Sequence, residues 1–197
     1  MSKNTKFLTH AAVIAALYAV LTHLQNFLLP GSATWAIQMR LSEALCVLSF
    51  FTPAAIPGLT VGCLVFNITY AAALPLDFLV GSLATLLAAG CMWLTRHVTV
   101  KGYPLPGMAM PALFNALLVG WELTVYIGGG FFMNALYVAL GELAVLLTFG
   151  TALYYAVKSG TWTRRCSVGK ISKIPPLRGS SGAVGEPFTA PISGRFP

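Results

Sequence analysis

The sequence predicts an all-α membrane protein with six transmembrane helices and both termini cytoplasmic. Three observations carry that expectation. Hydrophobic residues make up 57% of the 197-residue chain and charged residues only 9%, with a mean hydropathy of +0.78, whereas soluble domains average about 25% charged residues. The apolar runs are broken by Pro, Gly and charge at intervals close to the roughly 20 residues that a helix needs to cross a bilayer. Lys and Arg fall in alternate connections, as the positive-inside rule requires.

The runs place helices at 7–29, 37–52, 55–73, 76–95, 107–126 and 132–157. Pro30-Gly31-Ser32 closes the first, Thr52-Pro53 divides the second from the third, and Ala73-Leu74-Pro75 divides the third from the fourth. In each break proline fixes φ and removes a donor. "RHVTVKGYPLP" and "IGGG" separate the remainder. Helix 37–52 is short for a full span, so it is either tilted or begins as an irregular segment buried by protein. The first apolar run is longer than a signal-peptide core and lacks a small-residue cleavage site, so it is expected to stay as a helix.

Lys3 and Lys6 precede the first helix, Arg96 and Lys101 follow the fourth, and the connections at 30–36, 73–75 and 127–131 carry no Lys or Arg. The expected domains are a membrane domain over 1–157 and a basic tail over 158–197. Seven of the twelve Lys and Arg residues lie in that tail, so the net charge of +7 describes the tail and not the helices. Contact with an anionic cytoplasmic leaflet explains such a tail better than nucleic-acid binding does. Its Gly, Pro and Ser content predicts disorder. Cys46, Cys63, Cys91 and Cys166 show no metal-ligand spacing and read as small apolar fillers, so no metal site is expected.

Under this topology the polar residues gather at one depth. Arg40, Glu43, Asn67, Asp77 and Glu122 fall in the outer part of the helices, with Asn134 at the outer end of the last. Asn115 and Glu142 are deeper, at roughly 15 Å below their outer ends. Ionised groups at membrane depth cost at least about 2.5–3.5 kcal/mol on insertion scales, so keeping four carboxylates there implies a use. One arginine does not neutralise Glu43, Asp77, Glu122 and Glu142; the surplus acids are protonated, reach water, or receive a ligand that brings donors or positive charge.

Bland readings stand beside the functional ones. Arg40 and Glu43, at i and i+3, suit a mutual salt bridge. Asp77 in "LPLDF" suits the start of a helix, where an acid caps N–H groups. Asn67, Asn115 and Asn134 suit inter-helix hydrogen bonds. Trp35 and Trp121 suit an interfacial aromatic belt or, alternatively, a plane on which a flat ligand stacks. Ala11, Ala15 and Ala19, at i+4 spacing, suit either packing inside the bundle or docking of a partner helix.

"QMRLSEALCVLSFFTPAAIPGLTVGC", "LDFLVGSLATLLAA", "MPALFNALLVG" and "YVALGEL" together resemble the QueT group of substrate-binding S components of energy-coupling factor transporters, over roughly residues 5–157. The resemblance implies a non-enzymatic protein of a prokaryotic cytoplasmic (plasma) membrane. Such a protein captures queuosine or a related 7-deazaguanine precursor from outside. It also implies a transmembrane T subunit and two ABC-type ATPases as partners, with ATP used by those ATPases and no cofactor bound by this chain. Ala11, Ala15 and Ala19 would then face the T subunit. A carboxylate of Glu43 or Glu142 would read the guanine-like edge, Glu122 or Asp77 would meet a cationic arm, and Arg40, Asn67, Asn115 and Asn134 would donate to carbonyls.

The chain contains no GxxxxGK[ST] phosphate loop, so ATP-driven work would belong to another subunit. A rival expectation is a stand-alone secondary transporter or channel with Glu122 and Glu142 as proton relays. Against it, the helices lack an obvious inverted repeat and the inner halves lack a polar exit. A membrane enzyme ranks last, since no nucleophile, metal or paired-acid motif stands out.

Overall fold

The computed structural model describes residues 2–32, 39–70 and 73–160, and these are helical with no strand among them. Helix α1 is Lys3–Leu28, α2 Ala55–Thr69, α3 Asp77–Leu94, α4 Leu105–Met108, α5 Met110–Tyr126 and α6 Phe131–Val145, with a 3₁₀ helix, Leu41–Phe50, between α1 and α2. α6 runs on through a π-turn at Leu146–Gly150, and helix continues to Gly160. Four stretches are long and apolar enough to cross a membrane: Lys3–Leu28, Asp77–Leu94, Leu105–Tyr126 and Phe131–Gly160. The 3₁₀ helix and α2 are apolar but shorter.

Local chemistry sets the ends. Ser2 caps α1, its Oγ accepting from the Thr5 N–H at 3.1 Å, so α1 starts four residues before the apolar run predicts. Pro106 and Pro111 sit in first helical turns, where their missing N–H costs nothing, and Ala109 separates α4 from α5. The helix expected to end at 157 extends to Gly160; the rest of the predicted tail lies outside the described residues.

Between residues 37 and 52 the sequence predicts one short α-helix, but the described part is 3₁₀, with about three residues per turn. That period eclipses Arg40, Glu43, Cys46 and Ser49 along one line, and all four are buried. The segment packs against α1, α2, α3 and α6, while α1–α2, α2–α3, α3–α5 and α5–α6 pack side by side around it.

α1 and α2 approach closely because α2 presents Gly58 and Gly62. A Cβ on Gly58 would stand 2.7 Å from the Ala11 carbonyl oxygen, and one on Gly62 would stand 2.8 Å from that of Ala15. These are small residues used as closely packed membrane helices use them. α1 also exposes Leu8, Val13, Leu17, Val20, Leu24 and Phe27, apolar surface that a bilayer would cover.

Candidate functional site

Position along the helices brings the polar residues to one end of the helical body. Arg40 precedes the 3₁₀ helix, Asn67 is near the end of α2, Asp77 starts α3, and Glu122 is four residues from the end of α5. All are buried. Arg40 Nη2 donates to Asp77 Oδ2 at 3.2 Å and lies 3.4 Å from Oδ1, forming a buried ion pair between the 3₁₀ segment and α3. The mutual pair of Arg40 with Glu43 suggested by their spacing is therefore corrected: the guanidinium turns to α3. Asp77 likewise opens its helix as expected, but Leu76 holds the cap position and the carboxylate goes to Arg40.

Asn67 Nδ2 donates to the Asp77 carbonyl oxygen at 2.8 Å and contacts Cys63 Sγ at 3.5 Å. Arg40 Nη1 also reaches Cys63 Sγ, at 3.9 Å. Gly81, one turn into α3, leaves room for this group. A Cβ there would stand 2.9 Å from both Asn67 Nδ2 and Asp77 Oδ1, and 3.5 Å from Arg40 Nη1.

Glu43 is held differently. Its Oε1 accepts from the Tyr18 hydroxyl at 2.5 Å and its Oε2 from the Cys46 thiol at 3.0 Å. Cys46 and Cys63 are thus polar contacts of the site and not merely fillers.

Glu122 and Glu142 contrast with Glu43. Both are fully buried, and among the described residues none of their four carboxylate oxygens has a hydrogen-bond partner. Asn67 Oδ1 and Ser82 Oγ are also unpartnered. Glu122 lies within electrostatic reach of Asp77 and Arg40, and Glu142 within reach of Glu43 and Arg40. Buried polar atoms are rarely left unbonded, because desolvation without a partner costs on the order of 1–3 kcal/mol. No side chain among the described residues supplies a donor to these oxygens. Among the described residues no group of three His, Cys, Asp or Glu side chains could hold a metal ion.

The remaining candidates divide. Asn115 is buried on α5, seven residues before Glu122 and on its face. Asn134 is half-buried and donates to Thr124 Oγ1 and the Gly128 carbonyl, both at 3.0 Å, tying the start of α6 to the end of α5. Trp121 is 51% exposed, on the outer face of α5 away from buried Glu122. Trp35 lies outside the described residues.

Ala11, Ala15 and Ala19 line grooves between α1 and α2. Ala11 and Ala15 border one of about 240 Å³ with Leu8, Ala12, Pro57 and Val61. Ala19 borders a second with His23, Phe27 and Thr69. The carbonyl oxygens of Ala11 and Ala15 face Gly58 and Gly62 of α2, and both residues also line the groove, so this part of the stripe serves internal packing and borders a surface groove.

Sequence reasoning missed Tyr18, Thr22 and Gln25. Thr22 Oγ1 bonds Ser42 Oγ at 2.7 Å; Gln25 Oε1 accepts from the Leu41 N–H at 2.8 Å, and its Nε2 donates to Ser32 Oγ and the Met39 carbonyl. Their signal was present: three polar residues at i, i+4 and i+7 on one face of an otherwise apolar helix.

A family model described as QueT transporter matches residues 8–159. No curated protein and no solved structure matches the chain.

Proposed function

This chain belongs to the QueT transporter family and has a role in membrane transport, and from that premise we propose that it is the substrate-capture (S) component of an ATP-driven energy-coupling factor transporter, binding a 7-deazaguanine. The carrying observation is the set of four buried, unpartnered carboxylate oxygens on Glu122 and Glu142 beside the Arg40–Asp77 pair. A guanine-like edge carries an N1–H and an exocyclic amine that one carboxylate accepts together. Glu142 is the reader of that edge, since Glu43 already accepts from Tyr18 and Cys46. Glu122 meets the arm at ring position 7, where an aminomethyl cation would answer the excess of acid. Asn115 and the Arg40 guanidinium serve the ligand's carbonyl, while the unpartnered Asn67 Oδ1 accepts from a ligand N–H.

In this reading six helices span a prokaryotic cytoplasmic membrane, with both termini cytoplasmic, the acid cluster toward the exterior, and the tail from 158 on the cytoplasmic leaflet. The lack of a phosphate loop leaves ATP hydrolysis to two partner ATPases, coupled through a T subunit that docks along the Ala11–Ala15–Ala19 edge of α1. Purifying the chain from cells and identifying the small molecules it retains tests the reading. A 7-deazaguanine is expected, and a reproducible ligand of another chemistry would redirect it.

A further inference from the structure

α1 reaches the 3₁₀ segment through a ladder of side chains. Tyr18, Thr22 and Gln25, all buried on one face of α1, bond in turn to Glu43, Ser42 and the backbone of Met39 and Leu41. Gln25 supplies the acceptor that a helix N-terminus needs at the Leu41 N–H, where Arg40 makes no side-chain cap. A 3₁₀ helix this long has poorer backbone hydrogen-bond geometry than an α-helix. Its register therefore depends on such outside bonds. Arg40 and Glu43 lie inside the stretch that the ladder clamps.

We propose that Tyr18 is a positioning residue of the ligand site, its phenol holding the Glu43 carboxylate so that the Met39–Glu43 stretch presents Arg40 to Asp77 and to the ligand from a fixed place. Thr22 and Gln25 extend the same clamp along α1. The proposal rests on the capture reading for its ligand, but not for its mechanics. Replacing Tyr18 by Phe keeps the ring in the core and removes one hydroxyl, which leaves Glu43 Oε1 without its donor.

The test uses the full chain in detergent, with 7-aminomethyl-7-deazaguanine titrated calorimetrically and backbone amide exchange followed without ligand. Y18F and E43L should each weaken binding by about tenfold or more. The double variant Y18F/E43L should lose no more than the worse single variant, because both remove one interaction. Amide exchange in Y18F should quicken over residues 41–50 while α3 and α5 stay protected. T22V should behave likewise, with T22S restoring the native values.

Native affinity in Y18F, losses that multiply in the double variant, or unchanged exchange over 41–50 would each overturn the positioning role. Should the native protein take up no 7-deazaguanine, the capture reading falls by itself. The exchange result then decides Tyr18 alone: quickening confined to the 3₁₀ segment supports the clamp, and unchanged exchange refutes it.

Discussion

Arg40 Nη2 lies 3.2 Å from Asp77 Oδ2, joining the start of the 3₁₀ helix to the first residue of α3 in a buried ion pair. The guanidinium is the only Lys or Arg side chain between residues 7 and 95. Its pairing with Asp77 joins two elements, and among the described residues Glu122 and Glu142 have no hydrogen-bond partner.

Breaking that pair from one side leaves an uncompensated buried charge. Asp77→Leu or Arg40→Met alone is expected to destabilise the protein by about 3–5 kcal/mol, with the double variant recovering most of the loss. Thermal unfolding in detergent measures this. Additive losses would show that the two side chains act independently.

Gly81→Ala puts a methyl 2.9 Å from Asn67 Nδ2 and Asp77 Oδ1. These are side-chain ends, but they are held by the Arg40 and Asp77 bonds, so the expected cost is about 1–3 kcal/mol in unfolding free energy. Gly90→Ala, where a Cβ meets nothing within 4 Å, is the control and should not destabilise. Equal effects at both positions would count against the crowding argument.

At Gly62 an added Cβ would meet the Tyr18 Cβ at 2.7 Å and the Ala15 carbonyl oxygen at 2.8 Å, and backbone cannot swing aside. Gly62→Ala should therefore separate α1 from α2 and loosen the Tyr18 bond to Glu43. Amide exchange near Tyr18 should rise. Unchanged protection of α1 would contradict the close packing.

Ala12 is exposed beside the groove that Ala11 and Ala15 share with Pro57 and Val61. Ala12→Trp should block assembly with a T subunit while leaving ligand affinity intact, as co-purification and titration would show. Undiminished assembly would confine the alanine stripe to internal packing.

The sequence made the helical class, the helix order and the gathering of acids legible, because hydropathy and charge act residue by residue. Glu142 in "VALGEL" stood out since nothing local could satisfy it, and it is fully buried. Arg40's partner was not legible, because Asp77 is 37 residues away and the local spacing favoured Glu43. The 3₁₀ period was hidden for a related reason: Arg40 and Glu43 as a single i, i+3 pair are neighbours on an α-helix as well. Tyr18 was not legible as a partner of Glu43 because the two are 25 residues apart in the chain.

The most direct measurement is the affinity of purified native, Glu142→Gln and Glu122→Gln protein for 7-aminomethyl-7-deazaguanine by calorimetric titration, with folding checked by thermal unfolding. The account predicts that native protein binds and that each variant stays folded but binds at least about tenfold more weakly. Native-like affinity in both folded variants would contradict it.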